Sequence, residues 1–132
     1  MNIFVYGSLV FSEVMQGVVG RQFIFREGLV RGYARFKLRD EPQAAVIPFP
    51  DTSTKGIVYV ELDKAAVRRL DAFVGKIFDR VEVNVETGND EWVEAETHVL
   101  KVKERKRLSA KPWDENEFRQ KHLAKFMRVD VP

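Results

Sequence analysis

The chain has 132 residues, 45% of them apolar, with 22 basic against 20 acidic side chains. That length suits one domain with a real hydrophobic core, and the lack of cysteine excludes disulfides and thiolate metal sites. A net charge of +2 offers little to a polyanionic partner. The two histidines, His98 and His122, are too few and too far apart for a histidine-rich metal cluster; no metal is expected, and no cofactor. No basic leader precedes the first apolar run. No apolar stretch approaches the roughly 18 residues that a membrane span needs. A cytoplasmic protein without a membrane partner is the expectation.

In chain order, residues 3–6 read as a short strand of β-branched and aromatic residues, running into Gly7, Ser8 and Leu9. Ser12 is placed to cap a helix with Val14, Met15, Val18 and Val19 on one face and Gly20 as its stop. Residues 22–25 and 29–38 read as extended segments broken by Gly28 and Gly32. In the second, Tyr33 and Arg35 alternate with Ala34 and Phe36. Residues 44–47 are a small apolar run. Residues 48–56, PFPDTSTKG, are dense in turn formers and predict a surface loop. Residues 56–62 are the clearest strand. Asp63 then caps a helix, KAAVRRLDAFV, with Ala66, Val67, Leu70 and Phe73 at helical spacing and Gly75 as its terminator.

Residues 78–86 alternate strictly, with Val81, Val83 and Val85 on one face and Arg80, Glu82, Asn84 and Glu86 on the other. TGND at 87–90 suggests a hairpin turn, with 92–102 as the partner strand. The basic cluster KVKERKR, 101–107, is one Glu-interrupted loop rather than a broad basic face. It reads as a solvated connector, and no nucleic-acid partner is expected. Asp114 and Glu117 have the spacing of a capping box. The final helix follows, with Phe118, His122, Leu123 and Phe126 as its buried stripe and Trp113 with Phe118 as its anchor. Many strands and few helical crossovers predict an α+β fold, with a mixed, strongly bent β-sheet closing into a small barrel with flanking helices. One domain over 1–132 is expected, with 112–127 as a C-terminal helical extension.

The first turn carries the main functional question. Glycine at position 7 permits backbone angles that a side chain forbids, and it lets a ligand approach the main chain. The amides of Gly7, Ser8 and Leu9 would then point outward as a small anion nest able to hold a carboxylate. The other reading is a plain turn at a strand end.

Four blocks resemble the gamma-glutamylcyclotransferase-like superfamily, and within it the AIG2-like proteins. They are IFVYGSL at 3–9; GYARFKL at 32–38 with AVIP at 45–48; GIVYVEL with LDAFVGKIFDRVEV over 56–83; and PWDENEFRQKHLAKF at 112–126. The resemblance implies a mixed β-barrel with flanking helices. It also implies intramolecular cyclisation of a gamma-glutamyl amine, giving 5-oxoproline and a free amine. In such a reaction both reacting ends belong to one molecule, so the protein folds the substrate and moves protons. The resemblance assigns Tyr6, Gly7, Ser8 and Leu9 to the loop that holds the substrate, a small gamma-glutamyl or other carboxylate ligand. It also implies one glutamate that acts first as general base and then as general acid.

That glutamate is where the chain departs. The usual pattern is Leu-Asp-x-x-Glu-Gly, then aromatic-x-Arg. Here it reads Leu70-Asp71-Ala72-Phe73-Val74-Gly75, then Phe78-Asp79-Arg80. Val74 occupies the acid's position, Ile77 occupies the alternative one, and Phe78 stands where tyrosine is usual. Asp71, Asp79 and Glu82 are the candidate substitutes. Asp71 lies on the same side of its helix as Val74, Asp79 precedes the strand, and Glu82 shares a face with Arg80. His98 has no acid or nucleophile partner visible in the sequence and reads as structural, as does His122. Ser8 has no histidine–acid pair arranged for it, so its amide is the expected contributor. Two functions follow. One is an enzyme that processes a gamma-glutamyl compound through a relocated acid. The other is a non-catalytic relative that binds a small carboxylate or a protein partner at the 6–9 loop.

Overall fold

The computed structural model describes residues 1–130, with side chains through residue 127. The strands are β1 (Ile3–Val5), β2 (Phe25–Leu38), β3 (Ala44–Tyr59), β4 (Phe78–Gly88), β5 (Glu91–Leu100) and β6 (Leu108–Pro112). The helices are α1 (Ser12–Val19), α2 (Lys64–Val74), α3 (Glu115–Lys121) and α4 (Leu123–Asp130). The sheet runs β3-β1-β5-β4-β2, and β2 pairs again with β3, so five strands close a barrel with β6 added outside on β2. The β1–β5 pair is parallel and the other pairs are antiparallel. This is the mixed α+β barrel that the sequence predicts.

The barrel centres on β1, whose three residues are all buried. Its neighbour β3 approaches closely at Gly56. A Cβ there would stand 2.1 Å from the Val5 carbonyl oxygen and 2.7 Å from the Phe4 ring. Glycine is therefore what lets β3 lie against β1 and under Phe4. Val58, Leu70, Val85 and Thr97 are likewise almost wholly enclosed.

Four expectations change. Residues 48–56 belong to β3 and are not a loop across their whole length. Lys55, Thr54 and Ser53 pair with Leu29, Val30 and Arg31, and the register then jumps so that Tyr33 faces Pro48. Residues 49–52 alone lack a β2 partner, and Thr52 Oγ1 closes them by donating to the Phe49 carbonyl at 2.7 Å. The bulge holds Pro50, which cannot donate to a ladder. Ser12 is not the cap of α1: Phe11 is, with no side-chain cap bond.

The box at Asp114 is half made. Its carboxylate accepts from the Glu117 amide at 2.8 Å, but the Glu117 carboxylate turns to Lys37 at 3.2 Å. The final helix is two helices, broken at His122. Phe118 is buried against Phe11, Trp113 and Phe126, with ring centroids 5.6–5.7 Å away. Trp113 Nε1 donates to the Pro42 carbonyl at 2.8 Å, so the C-terminal segment is anchored on the β2–β3 hairpin as expected. The basic cluster forms a 3-10 turn over Val102–Arg107, followed by β6, which the sequence reading did not anticipate.

Candidate functional site

β1 delivers its C-terminal end into a short 3-10 turn, Ser8–Val10. Every carbonyl of the loop is fastened. Tyr6 O accepts from Arg35 at 2.8 Å, Gly7 O from the Val10 amide at 3.0 Å, Ser8 O from the Phe11 amide at 3.2 Å and Leu9 O from the Tyr59 hydroxyl at 3.1 Å. The amides of Gly7, Ser8 and Leu9 donate to no protein group among the described residues. A main chain with its acceptors satisfied and three successive donors unspent is set to receive an acceptor from outside. Gly7 has φ −121°, so positive φ is not the reason for glycine. Space there is tight: a Cβ would meet the Ala44 Cβ at 3.2 Å.

These residues line a cavity of about 460 Å³, a size suited to a small molecule. Its opposite wall is hydrocarbon: Phe73 and Val74 from the end of α2, Ile77 and Phe78 after it, and Phe126 from α4. Glu41, exposed, and Gln43 stand on the hairpin side. Gln43 Oε1 is covered and has no partner among the described residues. A larger concavity of about 640 Å³ is lined by Glu82, Glu94 and Glu96 and includes none of residues 6–9. We therefore place the candidate site at the smaller one.

His98 also lines the cavity, and the structure corrects its reading as a lone histidine. Strand alternation puts Glu96 and His98 on one face of β5, and register sets Arg80 of β4 opposite His98. Asp71, on α2, lies against this face. Its Oδ1 is 2.8 Å from His98 Nε2, its Oδ2 pairs with Arg80, and Arg80 Nε reaches Glu96 at 2.6 Å. Burial pushes the Asp71 pKa up, but the hydrogen bonds from His98 and Arg80 outweigh it and hold the carboxyl below its ordinary range. Burial dominates at His98 and lowers its pKa despite Asp71, so the ring is neutral at neutral pH. A carboxylate on Nε2 fixes the proton there and leaves the lone pair on Nδ1. Nδ1 has no protein partner among the described residues. The His98 carbonyl accepts from the Tyr6 phenol at 2.6 Å, so loop and histidine are tied together. Burial drives the Tyr6 pKa far up, and the phenol stays protonated.

Of the three candidate acids, none lines the cavity. Asp71 sits behind His98, Asp79 is exposed with Lys101 at 3.9 Å, and Glu82 faces the other concavity. Arg80 pairs with Asp71 and Glu96, not with Glu82. No hydrogen bond joins Ser8 to His98. No cluster of three potential metal ligands occurs among the described residues, and no helix there is long and apolar enough to cross a membrane.

This geometry has relatives. A family model described as gamma-glutamyl cyclotransferase, AIG2-like, matches residues 3–115. Protein AIG2 C of Arabidopsis thaliana is 30% identical over 129 residues, 97% of this chain and 78% of that protein. A solution structure of an Arabidopsis thaliana protein superposes with TM-score 0.74 at 29% identity, covering 97% of this chain and 78% of the other. A structure of a gamma-glutamyl cyclotransferase shares the fold, with TM-score 0.67 at 16% identity over 76% of this chain and 66% of that one. The chain belongs to the AIG2-like gamma-glutamyl cyclotransferase family.

Proposed function

We propose that this protein binds the carboxylate of a small gamma-glutamyl compound on the amides of Gly7, Ser8 and Leu9. The rest of the ligand lies against the wall of Phe73, Val74, Ile77, Phe78 and Phe126. One observation carries this reading: the carbonyls of residues 6–9 are all bonded, while three adjacent amides at the cavity wall are not. Donors without a protein partner are available to a ligand, and a carboxylate satisfies two or three of them with charge-assisted bonds. The glutamate-driven cyclisation implied by the family resemblance has no acceptor at Val74 or Ile77, which favours binding over that route. A second reading, cyclisation through a different group, is favoured by the imidazole of His98 in the same cavity.

Titrating glutamate, 5-oxoproline or formate while following backbone amide resonances tests the binding. The Gly7, Ser8 and Leu9 resonances are expected to move saturably while those of α1 stay in place. Unmoved Gly7 and Ser8 resonances at saturating ligand would overturn the assignment.

A further inference from the structure

Resting on that reading, we propose that His98, backed by Asp71, is the group that moves protons for a gamma-glutamyl amine held on the 6–9 loop. It takes the place of the carboxylate that Val74 and Ile77 do not supply. Four observations converge. His98 lines the same cavity as Gly7, Ser8 and Leu9. Its Nε2 is engaged by Asp71 at 2.8 Å, which leaves the Nδ1 lone pair without a protein partner among the described residues. Asp71 is itself held by Arg80, and Arg80 by Glu96, so the carboxylate orients the ring rather than acting on the ligand. The ring's backbone is tied to the loop through the Tyr6 phenol.

The chemistry balances without a further reactant. The α-ammonium of the ligand loses two protons in turn, and its nitrogen bonds to the γ-carbonyl carbon. The γ carbon–nitrogen bond breaks, and the leaving nitrogen receives two protons. His98 Nδ1 accepts each proton from the first nitrogen and returns it to the second, while the Asp71 carboxylate stabilises the transient imidazolium. The products are 5-oxoproline and a free amine. The hydrocarbon wall suits an apolar amine, so the substrate class is a gamma-glutamyl amide of an apolar amine.

The groups facing the imidazole set the pH response. They are Asp71 from α2, Arg80 from β4 and Glu96 from β5, with Glu41 at the cavity rim. Burial favours the neutral, proton-accepting ring, so the rate should rise with pH through a single inflection below the ordinary histidine value of 6.5 and then level off.

The test uses the full chain and γ-glutamyl-benzylamide, with 5-oxoproline and benzylamine measured by chromatography. The expected result is equimolar release of both above the protein-free control, with the inflection in kcat below pH 6.5. His98→Gln should lower kcat about 100-fold or more while leaving KM within a few-fold. Asp71→Asn should lower kcat less and displace the inflection. Release at the control rate, while the same compound still moves the Gly7 and Ser8 resonances, overturns the role of His98 and leaves the binding site standing. So does a wild-type profile without that inflection, a result that does not depend on either variant folding. Unmoved resonances take down the binding reading and this one together.

Discussion

The two walls of the cavity carry different kinds of chemistry. The 6–9 wall presents main-chain amides, on a loop whose carbonyls are bonded to Arg35, Tyr59, Val10 and Phe11. The Phe73–Val74–Ile77–Phe78 wall works through side chains, and here those are hydrocarbon. Main-chain donors persist under substitution wherever the backbone path is kept, because every residue except proline has one. A side-chain acid disappears with a single substitution. On the proposed function, carboxylate binding and proton transfer therefore rest on different elements, and one can be lost without the other.

The largest expected effect breaks the main-chain wall from beneath. Gly56→Ala would force a Cβ into the Val5 carbonyl and the Phe4 ring, displacing β1 and the loop it delivers. A loss of about 3 kcal/mol is expected from such overpacking, read as a lower urea midpoint together with loss of carboxylate-induced shifts. A midpoint within error of wild type would mean that β1 and β3 are not held as described.

Next comes the other wall. Val74→Glu places a carboxylate across from the amides. Because a hydrogen bond between charged groups is worth about 1.5–3 kcal/mol, affinity for γ-glutamyl-benzylamide should rise roughly tenfold over that for the des-amino analogue, 4-(benzylcarbamoyl)butanoate. Calorimetry giving an unchanged ratio would place Val74 out of reach of the ligand's ammonium.

A smaller effect tests the tie between loop and histidine. Tyr6→Phe removes the donor from the buried His98 carbonyl, at a cost of about 1–2 kcal/mol. Because the substitution loosens the mount of both groups, it should also broaden the Gly7 and Ser8 resonances. Sharp, unshifted peaks would show the tie to be dispensable.

The smallest effect is the pH dependence of stability. The folded pKa of His98 lies below 6.5, so the unfolded chain binds more protons between the two values, and stability is lost as pH falls through that window. The Asp71 pKa lies below 3.8 when folded, so its contribution is lost only at still lower pH, as the folded value is crossed. The urea midpoint should therefore fall between pH 7.5 and 5.5, and less so in His98→Gln. A midpoint that rises on acidification would contradict the burial of a neutral ring.

Much of the barrel was legible in the sequence. The alternation in 78–86 and 92–102 gave the β4–β5 hairpin, and Asp63 and Gly75 bounded α2. The stretch 48–56 misled because its composition is that of a turn, whereas its long-range pairing with β2 makes most of it strand. The final helix misled in the opposite sense, since a continuous apolar stripe does not reveal a break at His122. In the site, the turn after the first strand and the hydrocarbon at Val74 and Ile77 were legible, and the cavity brings them together. The partner of His98 was not. Asp71 precedes it by 27 residues and lies on a helix, and no local spacing rule links a helix residue to a strand residue across a packing interface. The one available signal was period-two alternation, which sets Glu96 and His98 on the face that also receives Arg80.

By itself the sequence determined the kinds of element, the amide-rich first turn and the hydrocarbon at Val74 and Ile77, because these follow from neighbours along the chain. Only the tertiary structure decided which polar groups meet. It set Asp71 behind His98, the Tyr6 phenol on the His98 carbonyl and the loop opposite the end of α2, because such meetings depend on barrel closure and on where α2 packs.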